Sequence, residues 1–368
     1  MTAAAWRLNA RRAEFVEHLG AEALFLEQGR ALVNDLEFAR GVIEFDVAFG
    51  EARGFVGLVF HMSDAANYEH FYLRPHQSGN PDASQYQPVV NGHASWQLCY
   101  GPDFAAPLVH RFDAWQHVRV VVAEQGADIY VDSAVPVLRV RPLLHGARGG
   151  AIGLSANTTP AWFANFSVDR QAELVLSDGP LGDASPRPGL IEAWAVSSAF
   201  DGDLLNTASD ALHGPSPDGQ PDAQQDPKSA ARSNAPLDLE VLAPTRRVVN
   251  ARIRGIANLA EAVEPGGPRT VLARAWLHAD RARRVELELG YSDRAALYLN
   301  GELLFRGNQT YRAQDYRFLG TIGLYDTLVL PLRAGTNELA VAVTEDFGGW
   351  GITARVTPTP GVRVEPAR

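Results

Sequence analysis

Alternation with a period of two constrains this chain most. In Gly41-Val-Ile-Glu-Phe-Asp-Val-Ala-Phe49 the apolar Ile43, Phe45, Val47 and Phe49 alternate with Glu44, Asp46 and Ala48. An extended strand sends neighbouring side chains to opposite faces in that rhythm. From about Ala21 to Val168 the text keeps reading as strands. Phe55-Val-Gly-Leu-Val-Phe60 is apolar on both faces, and Trp115–Ala123 and Ala127–Asp132 read as a hairpin around Glu124-Gln-Gly126. Gly150-Ala-Ile-Gly-Leu154 and Trp162-Phe-Ala-Asn-Phe-Ser-Val168 follow. Short strands with a turn signal about every ten residues predict a sandwich or barrel. Only Asn9 to Leu19 carries a pattern that predicts a short helix.

A chain of 368 residues is long enough for two domains. Residues 169–190 are a polar connection rich in Asp, Gly, Pro and Ser. Residues 201–236, with His213-Gly-Pro-Ser-Pro-Asp-Gly-Gln-Pro-Asp222, are richer still. Such composition buries no core and predicts a long loop or linker. Leu190-Ile-Glu-Ala-Trp-Ala-Val-Ser197, between the two, reads as the opening strand of a second domain. Strands return from Leu237 to about Val356, and Asn300-Gly301 between Ala-Leu-Tyr-Leu and Glu-Leu-Leu-Phe is a strong hairpin signal. The expected fold class is therefore all-β: two antiparallel β-sandwich (jelly-roll) domains at 1–168 and 237–368, joined through 169–236.

The formal net charge is −10, with no basic run, which argues against nucleic-acid binding. No stretch approaches the roughly 18–20 apolar residues that span a bilayer. Met1 to Glu22 mixes Arg7, Arg11 and Arg12 with Glu14, Glu17 and Glu22 and has no apolar core, so it does not read as a signal peptide. Cys99 is the sole cysteine. With the missing leader, it points to a reducing, cytoplasmic setting, and export after removal of a leader stays open. With no partner motif, Cys99 reads as an inert small hydrophobe.

The candidate site starts from Asn67-Tyr-Glu-His-Phe-Tyr-Leu-Arg-Pro-His76. At period two, Tyr68, His70, Tyr72, Arg74 and His76 share one face, and Glu69, Phe71 and Leu73 take the other. A polar loop follows, and then Gln85, Tyr86, Asn91, His93, Trp96 and Tyr100. Sugar recognition needs planar amide, guanidinium and carboxylate groups for hydroxyls and an aromatic ring for the apolar sugar face. This segment holds all of them. The ligand-binding set is thus Tyr68, His70, Tyr72, Arg74, His76, Gln85, Tyr86, Asn91 and Trp96. The structural alternative is a half-buried strand whose Arg74 pairs with Glu69 or Asp64. Catalytic candidates are Glu44, Asp46, Glu69 and Asp82 as acids and His70 as a base, since histidine titrates near neutrality. Glu44 and Asp46, two apart on one strand, lie roughly 6.6 Å from each other along it, within the separations glycosidases use; the competing reading is a solvated strand face. His61, His70, His76 and His93 with Asp64, Asn67 and Asp82 match no zinc spacing, so no metal residue is assigned and no cofactor is required. In the second domain, Tyr291-Ser-Asp293, Tyr311, Asp315, Tyr316 and the loop Asp346-Phe-Gly-Gly-Trp-Gly351 read either as a second polar and aromatic patch or as turns around a core Trp350.

Several of these pieces together resemble a known superfamily. Gly41-x-Ile-Glu-Phe-Asp-Val47, Gly57-Leu-Val-Phe60, Asn67-Tyr68 with Tyr72-x-Arg74, Trp115-x-x-Val-Arg-Val-Val121, Ala127-x-Ile-Tyr-Val-Asp132 and Gly150-x-Ile-Gly-Leu154 with Phe163-x-Asn-Phe166 resemble the concanavalin A-like sandwiches. The likeness is nearest to laminin-G-like domains and to the family called 3-keto-disaccharide hydrolase or DUF1080. Tyr298-x-Asn-Gly301, Gly335-x-Asn-Glu-Leu-Ala-Val341 and Gly348-Gly-Trp-Gly351 resemble a galactose-binding-like jelly roll. Glu44-Phe-Asp46 is similar to the acid cluster of family-16 glycosidases, but Ala48 and Gly50 stand where that family's third acid belongs. The resemblance implies a fold that lectins, carbohydrate modules, adhesion domains and glycosidases share, and bound calcium is possible in laminin-G-like domains. The expected function is carbohydrate binding in a groove of the N-terminal sandwich. The alternatives are a glycoside hydrolase or related sugar-cleaving enzyme in the same groove, and a protein–protein adhesion module. The oligomeric state is not legible.

Overall fold

The computed structural model describes residues 3–178, 187–205 and 237–367. The chain divides into two compact units, Met1–Ala184 and Ser185–Arg368, built almost wholly of antiparallel strands.

The first unit contains β1 (Trp6–His18), β2 (Ala21–Val33), β3 (Gly41–Ala48), β4 (Phe55–Asp64), β5 (Asn67–Leu73), β6 (Ser84–Val90) and β7 (His93–Ala94). It continues with β8 (Ala105–Ala106), β9 (Gln116–Ala123), β10 (Gly126–Val131), β11 (Leu138–Val140), β12 (Ala151–Asn157) and β13 (Ala161–Asp169). Their order is β11-β10-β9-β3-β13-β2-β12-β4-β5-β6-β7, with β1 beside β2 and β8 beside β6. β2 belongs to both halves of this sheet. Leu24, Phe25 and Leu26 pair with Phe163, Trp162 and Ala161 of β13, and Gly29 to Leu32 pair with Ala156 to Gly153 of β12. The change of partner falls at Gln28, whose φ is 49°, followed by Gly29. A Cβ on Gly29 would lie 2.2 Å from the Asn9 carbonyl oxygen of β1, so only glycine fits there.

One face of each half is apolar and fully buried: Leu24, Leu26, Phe45, Val47 and Phe163 in one, Leu58, Phe71, Leu73 and Leu154 in the other. Each such side chain stabilises the fold by about 1.5–3 kcal/mol relative to exposure.

The helix expected over Asn9–Leu19 is instead strand. β1 pairs with β2 along its whole length, from Trp6 opposite Val33 to His18 opposite Ala21. Leu19 and Gly20, with φ of 46° and 75°, make the tight turn that a two-residue hairpin requires. Cross-strand hydrogen bonding outweighs the local helical preference of the Ala, Arg and Glu residues. The polar connection after β13 also packs in part: Ala172, Leu174 and Leu176 lie against Val42, Val121 and Tyr130. The remainder of the polar connections, residues 179–186 and 206–236, lies outside the described residues.

The second unit contains β14 (Ala193–Ser197), the short helix α1 (Leu239–Leu242), β15 (Thr245–Asn250), β16 (Ala257–Asn258), β17 (Thr270–Ala279) and β18 (Arg283–Ser292). After these come β19 (Arg294–Leu299), β20 (Glu302–Asn308), β21 (Asp326–Leu332), β22 (Gly335–Thr344), β23 (Gly351–Val356) and β24 (Val362–Glu365). One sheet runs β15-β14-β17-β22-β19-β20 with β24 also on β17, and the other runs β16-β23-β18-β21. Asn300 and Gly301, both at positive φ, turn β19 into β20. The face of the larger sheet with Leu272, Ala296, Tyr298, Ala340 and Ala342 is partly covered by Leu205, Leu237, Leu239 and Ala243. Arg274, fully buried on that face, ties the cover down. It donates to the Ala243 carbonyl at 2.6 Å and to Thr245 Oγ1 at 3.0 Å, and pairs with Glu240 and Glu338 at 3.1 and 3.2 Å. Among the described residues no helix is long and apolar enough to cross a membrane.

Candidate functional site

The alternation in β5 holds. Tyr68, His70 and Tyr72 share the face opposite to Phe71 and Leu73, where Tyr68 packs with Leu32, Val59 and Val89 in a separate buried apolar cluster. Register then sets rows of side chains across the sheet: Arg30, Ser155, Gly57, Tyr72 and Gln85 stand opposite one another on β2, β12, β4, β5 and β6.

This face is closed by its own hydrogen bonds. Tyr68, His70 and Tyr72 are only 6, 5 and 2% exposed. Arg30 donates to the Tyr68 hydroxyl and its guanidinium lies 4.1 Å from the ring centroid. His70 Nε2 meets Ser155 Oγ at 3.1 Å. Tyr72 donates to Gln85 Oε1 at 3.0 Å, and Gln85 Nε2 donates to the Cys99 and Trp96 carbonyls at 2.7 and 3.1 Å. Gln87 Oε1 accepts from Ser95 N at 2.8 Å. The two glutamines thus pin segment 91–101 over the ladder. Burial and the nearby Arg30 charge hold the His70 imidazole down at about 3, which removes it as a base near neutrality. Burial likewise pushes the Tyr72 and Tyr68 phenols up.

The other expected residues separate. Arg74 pairs with Asp82, not with Glu69 or Asp64, and lies 5.6 Å from the Phe55 ring centroid. His76 sits in a short turn after β5, where its Nδ1 accepts from Gly54 N at 3.3 Å. Tyr86, expected beside Gln85, lies on the opposite face: it pairs with Phe71 and donates to Glu69 Oε2 at 2.6 Å. Adjacent strand residues cannot share a face. Glu69 is fully buried there and also accepts from His145 N, so it cannot face Asp82 across a groove. Asn91 is a turn residue with φ of 49° whose N–H donates to Asn67 Oδ1. The half-buried rim of the ladder is Arg30, Phe55, Arg74, His76, Trp96 and Tyr100. Cys99 is buried. Among the described residues no three His, Cys, Asp or Glu side chains converge as a metal site.

Glu44 and Asp46 belong to a different assembly, on the outer face of β3, β9 and β13. His117 stands opposite Asp46, and Arg119 opposite Glu44. His117 Nδ1 meets Asp46 Oδ1 at 2.7 Å, and its Nε2 lies 3.6 Å from Glu44 Oε1. Asn165 Nδ2 donates to Asp46 Oδ2 at 2.6 Å. On the same face Trp162 stands opposite Ala48 and Phe25, so it lies one strand repeat, roughly 6.6 Å, from the Asp46 row. Trp162 stacks on His18 with centroids 4.1 Å apart and planes at 8°. Trp115 meets His18 edge-on at 5.7 Å, and Phe25 meets Trp162 at 5.3 Å. All four rings are half-buried. Half-exposed aromatics beside a carboxylate, an amide and an imidazole can hold a ring by its apolar face and bind its hydroxyls at the edge. Sequence reading singled out only the two acids. Trp162, His18, His117 and Asn165 become neighbours through strand register, which no local pattern carries.

In the second unit Trp350 is fully buried and donates to the Val343 carbonyl at 3.0 Å. Tyr291 and Asp293 are buried too, whereas Tyr311, Asp315 and Tyr316 are exposed. Tyr311 meets the exposed Phe347 of the 346–351 loop edge-on, with ring centroids 6.0 Å apart. Asp293 Oδ2 accepts from Asp346 N and Phe347 N, both at 2.6 Å, and so shapes the 346–351 loop.

No family model matches the chain, and no curated protein matches it. Several solved structures match part of the chain. The carbohydrate binding module CBM66 from Bacillus subtilis is 17% identical, with 44% of this chain and 93% of that one covered, at a TM-score of 0.34. A protein of unknown function with a galectin-like fold, also from Bacillus subtilis, is 13% identical over 44% of this chain and 88% of that one, at 0.34. A family 35 carbohydrate binding module from an environmental isolate is 18% identical over 27% of this chain and 74% of that one, at 0.20.

Proposed function

We propose that the first unit is a carbohydrate-binding domain, and that it holds its ligand on the outer face of β3, β9 and β13. The observation that carries this reading is the half-exposed Trp162–His18 stack one strand repeat from the Asp46–His117–Asn165 cluster. The indole offers an apolar plane; the carboxylate and amide offer acceptors and donors for hydroxyls. The Tyr68–His70–Tyr72 ladder serves as a closed inlay, and its rim with Arg74, His76 and Trp96 is the competing surface for the same ligand class. The finer resemblance, a concanavalin A-like first unit and a galactose-binding-like second, accords with this role.

A second reading, sugar cleavage, draws on the Glu44–His117–Asp46 arrangement, in which an imidazole bridges carboxyl groups two residues apart. Binding and hydrolysis of an oligosaccharide panel are measured on one preparation, with Trp162→Ala and Arg74→Ala. Binding lost by at least tenfold in Trp162→Ala alone supports the outer face. Loss in Arg74→Ala alone moves the site to the ladder rim, and turnover abolished by Asp46→Asn makes the protein an enzyme. No binding to any sugar refutes the proposal.

A further inference from the structure

The second unit has a depression of its own, and its position follows from register. On the covered face of the larger sheet, Arg294, Thr344 and Thr270 form one row across β19, β22 and β17. The next row is Arg306, Ala296, Ala342 and Leu272, from β20 to β17. Tyr298, Ala340 and Arg274 form the third. The two alanines leave the middle row low. Leu205, Leu237 and Leu239 cover part of the face, and beside them a cavity of about 660 Å³ stays open, within the usual size of a small-ligand pocket.

Its lining is charged and hydroxylated around a small apolar floor. Arg269, Arg294 and Arg306 line it with Thr270 and Thr344, and Asp201 and Asp203 line it on either side of Gly202, where an added Cβ would lie 2.8 Å from Thr270 Oγ1. Arg294 donates to Asp346 Oδ1 at 2.5 Å, and Arg269 donates to the Asp346 carbonyl at 2.8 Å. Two guanidiniums therefore gather at Asp346, Arg294 on its carboxylate and Arg269 on its backbone carbonyl. A guanidinium carries five N–H donors, so donors remain at that end, next to the Thr270–Thr344 hydroxyl pair, whose oxygens are 2.8 Å apart. The lining itself holds three arginines against two aspartates, in a chain of net charge −10.

We propose that this cavity binds a saccharide-sized ligand bearing one anionic group. The anion sits at the Arg269–Arg294–Thr344 end, and the ligand's hydroxyls face Asp201 and Asp203. A carboxylate and a sulfate ester share the required chemistry. The site is independent of the first unit's outer face.

The test is calorimetric titration of the full chain with glucuronate, glucose 6-sulfate and glucose. The comparison is wild type against Arg294→Gln and Ala296→Leu, each checked by its unfolding midpoint. Losing a charged hydrogen-bond donor weakens binding roughly tenfold or more, and the leucine fills the low row. The expected result is binding of glucuronate, the sulfate, or both, weakened at least tenfold in both variants and by added salt. The tighter of the two anions identifies the group. Glucose bound as tightly as either anion, binding unchanged in both variants, or no binding of any of the three overturns the proposal.

Discussion

Glu345, just past β22, makes the stability of the second unit depend on pH in an unusual direction. Its side chain is 4% exposed. Oε1 accepts from Gly349 N at 3.1 Å, while Oε2 is buried without a hydrogen-bond partner among the described residues. Burial, with the Asp293 carboxylate nearby, raises its pKa from 4.5 to about 8; the Gly349 N–H and Arg269 act against this. In the unfolded chain the group ionises near its ordinary value. Between those limits the unfolded state loses the proton and the folded state keeps it, so stability falls as pH rises. Each pH unit in that window costs about 1.4 kcal/mol, so the penalty reaches roughly 3 kcal/mol at pH 7 and levels off above pH 8. Glu345→Gln keeps an acceptor for Gly349 N and removes the ionisation. The variant should match wild type near pH 4.5 and exceed its stability by a margin that grows to pH 8. Urea unfolding of both chains at pH 5, 7 and 8.5 measures that margin. A difference that stays flat across the three values, or shrinks with rising pH, refutes the argument.

Two further outcomes follow from the first unit. The His70 imidazole, held at about 3 against about 6.5 when unfolded, should stay neutral from pH 7 to 5 while stability declines as pH falls below about 6.5. A His70 ring resonance that titrates within that range by NMR would count against the closed ladder. Gly29→Ala, which puts a Cβ 2.2 Å from the Asn9 oxygen, should cost roughly 1–3 kcal/mol as overpacking does; an unchanged thermal midpoint would show that β1 does not approach there.

Sequence periodicity located much of this architecture because strand alternation is a local property. The 41–48 strand, the hairpin around Glu124-Gln125 and the Asn300-Gly301 turn all sit where alternation and turn chemistry put them. Alternation also separated Tyr68, His70 and Tyr72 from Phe71 and Leu73. It could not show that Gln85 and Gln87 close that face, because they act through carbonyls and an N–H of segment 91–101. The helix expected over Asn9–Leu19 fails for the same reason: pairing with β2 decides the structure of β1, whereas its own Ala, Arg and Glu residues favour a helix. The Trp162–Asp46 neighbourhood joins residues more than a hundred positions apart, and only the pairing of β13 with β3 reveals it.

The change of partner at Gln28-Gly29 has a bearing on how the first unit opens. Phe25 of the outer aromatic group and Arg30 of the buried ladder lie on one continuous strand, hydrogen-bonded to different halves of the sheet. Neither half can detach without breaking the ladder of β2, so the two should share one cooperative opening event. Amide hydrogens on both sides of Gln28 would then exchange at a common slow rate, whereas a pair of sheets joined only by loops would show two.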